Sequence, residues 1–273
     1  MIKILIIIFS LLIGIFIGFQ FNVSIGIKIL LSFSFGLATI IAIGIIFMLI
    51  LAILTLPINK KEKCNKQSKF YRRALVFYEN FLFKLFGMKI VFNGVELTKN
   101  LKQFIVVGNH RSNLDSMVID WFFKDINLLF IAKKSLFNIP FVGKLIHASC
   151  YAKLDRENIN KDLDELYRII DIASMNDYSV GVFPEGTRTI DYDVHEFKEG
   201  SFILSSELKC PILLCALRGT YEVNRNLLFK KHTVCCDFIE LIPYKKYGKM
   251  SKSEIAKYCE NKIHNFLENN KNF

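Results

Sequence analysis

The pattern of hydrophobic positions divides the chain into two unequal parts. No charged side chain occurs in Ile4–Ile27 or in Ile29–Asn59, and Lys28 alone separates the two runs. A helix rises 1.5 Å per residue, and a bilayer core of about 30 Å needs roughly 20 apolar residues. Each run is therefore long enough to span a membrane, although Gln20, Asn22 and Ser24 confine the apolar core of the first to Ile4–Phe21. The pattern predicts a hydrophobic helical hairpin that anchors residues 1–59 in a membrane. A secretory signal peptide would share Lys3 and the first apolar run. It would not be followed by a second, longer apolar run, and no A-x-A-like cleavage site is present. A pair of helices dipping into one leaflet would have the same hydropathy as a spanning pair.

Beyond residue 60 the periodicity changes. Phe70, Ala74, Phe77, Phe81 and Leu85 recur at helical spacing, which predicts a basic amphipathic linker helix within 60–87. Its basic start and aromatic face suit a membrane interface, and packing against a core would use the same pattern. Short apolar runs then alternate with helical patterns. Strands are predicted at Lys89–Asn93, Gln103–Val107, Leu128–Ala132, Cys150–Leu154, Ser179–Phe183, Ile212–Leu217 and Val234–Ile242. Helices are predicted at Asn113–Phe123, Phe141–His147, Asn160–Met175, Phe202–Leu208 and Lys252–Asn269. Such alternation predicts a layered α/β domain over 88–273 with a largely parallel central sheet.

Charge sharpens this picture. The chain has 273 residues and a net charge of +11, and residues 60–73 alone hold seven basic side chains against one acid, Glu62. A basic cluster beside an apolar anchor fits the positive-inside rule and attraction to anionic lipid. The rest of the body is nearly balanced, and no zinc-finger, helix-turn-helix or RNA-recognition pattern is present, so nucleic acid is not an expected partner. The seven cysteines are odd in number and lack C-x2-C spacing. Reduced thiols in a cytosol-facing body are expected, with no role assigned to any of them.

The candidate chemistry lies in two short stretches. His110 and Asp115 stand five positions apart, in a turn between a predicted strand and helix. Open α/β sheets bind ligands at such strand ends. Ser112 or Asn113 can cap the helix, and Asp115 in its first turn can reach the imidazole. A carboxylate on one ring nitrogen fixes the tautomer and leaves the other nitrogen to accept a proton. The second stretch, Phe183-Pro184-Glu185-Gly186-Thr187-Arg188, follows another predicted strand. Arg188 can make paired hydrogen bonds to phosphate, while Glu185 can orient a hydroxyl or hold the arginine. His147, His195, His232 and His264 lack comparable neighbours and read as packed or surface residues.

Taken together, these stretches resemble the glycerolipid acyltransferases typified by 1-acylglycerol-3-phosphate acyltransferase. That family shows His-x4-Asp, matched by His110 and Asp115. A second block ends in arginine, matched by Lys153-Leu154-Asp155-Arg156. The third, Phe-Pro-Glu-Gly-Thr-Arg, is matched at every position by 183–188 and is followed by Phe197-Lys198-Glu199-Gly200. The fourth is an apolar run flanked by prolines, represented by Cys210–Cys215. The resemblance covers about residues 85–225. In the second block the family usually has glycine near Cys150 and an aromatic near Lys153, and in the fourth a second proline near Cys215.

The resemblance implies transfer of an acyl group to the hydroxyl of a lysophospholipid, above all 1-acylglycerol-3-phosphate. The donor is an acyl thioester on coenzyme A or acyl carrier protein, a co-substrate rather than a bound cofactor. His110 and Asp115 are the implied catalytic pair. Arg156, Glu185, Gly186, Thr187 and Arg188 are the implied substrate-binding residues, and Lys133 or Lys134 can add positive charge. No metal constellation is visible, and this chemistry needs none. The expected setting is the cell membrane, with the catalytic domain facing the cytoplasm. Another lyso-lipid acceptor, or a catalytically silent lipid-binding protein, are the alternatives.

Overall fold

In the computed structural model, residues 2–155, 159–188, 194–225 and 231–270 are described. The chain divides into two compact units, Met1–Asn59 and Lys60–Phe273.

The first unit is a hairpin of helices α1 (Ile2–Gly18) and α2 (Ile25–Thr55). Only α2 is long and apolar enough to cross a membrane among the described residues. The expectation that each apolar run is long enough to span is met by α2 and not by α1. Its 17 residues reach only about 26 Å at 1.5 Å per residue, because the helix ends before the polar positions Gln20 and Asn22. The two helices approach closely through small residues. A Cβ on Gly14 would lie 2.2 Å from the Ser32 carbonyl oxygen, and one on Gly18 would lie 2.3 Å from Ser32 Oγ. Ser10, Gly14 and Gly18 recur every four residues, the spacing that lets apolar helices touch at backbone distance.

The second unit is built on a seven-stranded sheet. Its strands are β1 (Met88–Asn93), β2 (Ile105–Gly108), β3 (Leu128–Lys133), β4 (Ala152–Leu154), β5 (Ser179–Val182), β6 (Ile212–Arg218) and β7 (His232–Ile242). They lie in the order β1-β7-β6-β2-β5-β3-β4, parallel throughout except for the antiparallel pair β6–β7. Strands β2 and β5 are buried at every position, and β6 at all but its last. This is why they read as unbroken apolar runs: a strand covered on both faces has no polar side to alternate with. Ile105 and Val107 join the core beneath helices α6 (Ile159–Asn176) and α7 (Lys252–Asn269). The opposite face carries an aromatic layer in which Phe104, Phe122, Phe123 and Phe238 pack ring against ring.

The linker helix α3 (Lys69–Leu85) belongs to this second unit and packs on β1, on α4 (Leu114–Phe122) and on α5 (Val142–Ala148). Its two faces answer the two readings of its pattern. Arg72, Leu75, Glu79 and Phe83 are buried, whereas Phe70 and Phe77 are 62% and 65% exposed. Arg72 forms an ion pair with Asp120 of α4, both inside the protein. Beside them, burial holds the Glu79 carboxyl well above its ordinary range, and the charge of Asp120 pushes the same way.

The cysteines depart from expectation. Cys64 and Cys150 form a disulfide, with Cα atoms 5.2 Å apart, and the other five cysteines are buried thiols. Spacing could not reveal this, because the pair is separated by 86 residues and is joined only by tertiary contacts. Ser68 N donates to the Ala148 carbonyl, and the Gln67 side chain donates to that of Ser149. These bonds lay the linker against the turn before β4.

Candidate active site

Strands β2 and β5 are hydrogen-bonded neighbours at the centre of the sheet, with Val107 opposite Val182. The chain therefore leaves both strands side by side, although the two segments are some seventy residues apart in sequence. After β2 come Asn109 and His110; after β5 comes Phe183. The His110 and Phe183 rings stack 4.5 Å apart, with 20° between their planes. Both lie at the carboxyl edge of a parallel sheet, where β2 is flanked by β5 on one side and β6 on the other.

Asp115 sits in the first turn of α4 and is completely buried. Its Oδ2 lies 2.9 Å from His110 Nδ1 and also accepts the main-chain N–H groups of Arg111 at 2.7 Å and Ser112 at 2.6 Å. Three donors converging on one oxygen hold the carboxylate at a fixed angle to the ring. The imidazole then carries its proton on Nδ1 and directs Nε2 away from Asp115, and its side chain remains 18% exposed. The anticipated cap is partly realised. Ser112 Oγ accepts from Leu114 N at 3.1 Å, whereas Asn113 makes no side-chain cap. A turn that brings Asp115 back onto 110–112 places Ser112 nearer the helix start.

Glu185 makes its hydrogen bonds to the main chain. It is 2% exposed, and its carboxylate faces inward. One oxygen accepts from His110 N at 2.6 Å and the other from His195 N at 3.2 Å. It therefore joins the backbones of three segments, and it has no arginine partner among the described residues. Burial pushes this carboxyl up to about 7, against the pull of those two N–H groups. Gly186 is half-buried, and Thr187 and Arg188 are exposed. Arg156 lies outside the described residues. Lys134 pairs with Asp155 at 2.5 Å, so its charge is committed to the second block.

One further residue was not singled out in the sequence. Asn109 is buried, and its side-chain amide donates to the Leu217 carbonyl at 3.0 Å while its oxygen accepts from Leu217 N at 2.7 Å. The side chain mimics one rung of a ladder and extends the β2–β6 pairing past Gly108. An asparagine in the position before the histidine was the available signal. Among the described residues no group of three or more His, Cys, Asp or Glu side chains could hold a metal ion.

A buried carboxylate that aligns an accessible imidazole, beside a loop bearing an exposed arginine, can remove a proton from a hydroxyl near an anionic group. The family profile described as Acyltransferase matches residues 89–218, which hold all of these features. Residues 89–218 form an acyltransferase domain. A 1-acyl-sn-glycerol-3-phosphate acyltransferase of Haemophilus influenzae is 29% identical over 65% of this chain and 74% of its own length. The Saccharomyces cerevisiae protein of the same description is 29% identical over 58% of this chain and 52% of its own length. The crystal structure of the 1-acyl-sn-glycerophosphate (LPA) acyltransferase from Thermotoga maritima superposes with a TM-score of 0.61. It is 26% identical and covers 74% of this chain and 80% of its own. Both the His110–Asp115 turn and the 183–188 loop fall inside this acyltransferase domain.

Proposed function

We propose that this acyltransferase esterifies 1-acylglycerol-3-phosphate to give phosphatidic acid, using an acyl thioester of coenzyme A or acyl carrier protein as donor. The observation that carries the reading is the 2.9 Å contact between His110 Nδ1 and Asp115 Oδ2, set beside the 183–188 loop. His110 Nε2 takes the proton of the acceptor hydroxyl as its oxygen attacks the thioester carbonyl. The tetrahedral adduct collapses, the ester remains, and the departing thiolate recovers the proton from the imidazolium. Asp115 keeps the ring in the accepting tautomer and stabilises its transient charge. The donor is already activated, so no protein nucleophile is required. The Arg188 guanidinium, with Arg156, serves the acceptor phosphate.

The enzyme is held at the cell membrane by residues 1–59, with its domain on the cytoplasmic side, where acyl donors are made. The basic run Lys60–Arg73 supports this orientation, because Lys and Arg near a membrane segment resist translocation. The exposed Phe70 and Phe77 of α3, beside Lys69 and Arg73, suit the same surface. One observation favours the opposite face: disulfides such as Cys64–Cys150 persist in oxidising compartments.

The test is purified protein given labelled acyl donors and a panel of lyso-lipids. Preferential formation of phosphatidic acid is expected. Turnover confined to lysophospholipids with a head group would overturn the acceptor assignment. Protease accessibility of tagged termini in sealed vesicles tests the topology, and a C-terminus found outside would reverse it.

A further inference from the structure

The Lys198 side chain lies across the third block. A Cβ placed on Gly186 would meet Lys198 Nζ at 3.2 Å and its Cδ and Cε at 3.4 Å. Gly186 also has φ +69°, a backbone conformation that favours a residue without a side chain, and the lysine passes close over it. The lysine is anchored from below as well: Lys198 N donates to the Pro184 carbonyl at 3.0 Å. Its stem is thus drawn along the loop, and its ammonium stops over Gly186, one residue from the Glu185 carboxylate that holds His110 N.

No carboxylate neutralises it among the described residues. Glu185 is turned inward onto two N–H groups. Arg188, two residues beyond Gly186, is likewise exposed and has no acidic partner among the described residues. Two exposed cations of different geometry, neither with an acidic partner among the described residues, thus stand close to one glycine in the chain and the fold. A planar fork and a compact point charge together suit a phosphate monoester, whose oxygens can accept from both.

We propose that Lys198 is a binding residue for the phosphate of the lyso-lipid acceptor, acting with Arg188 across Gly186. The proposal rests on the acceptor reading above. The experiment compares wild-type full-length protein with Lys198→Met and Lys198→Arg, measuring acceptor KM, donor KM and kcat. Titration with glycerol 3-phosphate, followed by calorimetry, gives a readout that does not depend on turnover.

For Lys198→Met, acceptor KM and the glycerol 3-phosphate Kd should each rise about tenfold or more, the loss expected for a charge-assisted bond. Donor KM and thermal midpoint should stay near wild type, and Lys198→Arg should recover much of the affinity. Unchanged glycerol 3-phosphate binding in Lys198→Met, or no binding by the wild type, would overturn the proposal. A parallel rise of both KM values with a lowered midpoint would also overturn it, by making Lys198 a brace for the loop. A wild type that binds glycerol 3-phosphate through Lys198 yet acylates no phosphate-bearing lipid would defeat the acceptor reading alone.

Discussion

Glu185 accepts the main-chain N–H of His110 at 2.6 Å, so the third block holds the first through the backbone. An amide in its place would turn an NH2 group toward one of two N–H donors. Glu185→Gln should therefore lower kcat by tenfold or more and leave acceptor KM within a few-fold of wild type, as the imidazole loses its fixed position. A large rise in acceptor KM with normal kcat would show that Glu185 contacts substrate.

The same carboxyl gives a pH signature. Its native pKa, about 7, lies above the ordinary carboxylate value, so the folded protein binds this proton more tightly than the unfolded chain. The contribution to stability is fully present below about 4.5 and is lost as the pH rises through about 7, on the order of 3 kcal/mol in all. Denaturant unfolding between pH 4.5 and 8 should show this decline in wild type and a flatter curve in Glu185→Gln. Parallel curves would refute the shift. Activity should run the other way and fall below pH 7, because only the carboxylate accepts both N–H groups.

His110→Ala should reduce kcat by roughly 10²–10⁴, the usual worth of a general base, with the fold intact by circular dichroism. Asp115→Asn should also be severe, since its amide can donate to Nδ1 and favour the wrong tautomer. Near-normal turnover in a folded His110→Ala protein would end the general-base assignment.

Asn109→Ala removes two hydrogen bonds to Leu217 and leaves buried main-chain groups without partners. Each costs about 1–3 kcal/mol. A drop of several degrees in thermal midpoint is expected, together with reduced kcat, because the segment leading to His110 loses its register with β6. A midpoint unchanged from wild type would mean that Asn109 is not the clamp.

Arg72→Met strands Asp120 in the interior and should cost roughly 3–5 kcal/mol. The double variant Arg72→Met/Asp120→Leu should recover much of that loss. Thermal unfolding of both proteins checks this, and equal destabilisation of single and double variants would contradict it.

The hairpin, the strand–helix alternation and the two motif blocks were legible in the chain because each is a local pattern. Charge-free length reports apolar helices, unbroken apolar runs report strands covered on both faces, and a His–Asp offset of five fits one turn entering a helix. Even the sheet's parallel character followed from alternation.

Contacts between distant residues decided the rest. Nothing local says that Glu185 faces inward to His110 N, because that follows from β2 and β5 being neighbours. Cys64–Cys150, Arg72–Asp120 and Asn109–Leu217 join residues 86, 48 and 108 positions apart. In each case the sequence shows residues able to bond, and only the packed sheet and helices bring the partners within reach, because burial removes water as the alternative partner. The faces of α3 were divided in the same way. Its periodicity made it amphipathic, and the docking of α4, α5 and β1 determined that Leu75 and Phe83 lie inside while Phe70 and Phe77 remain at the surface.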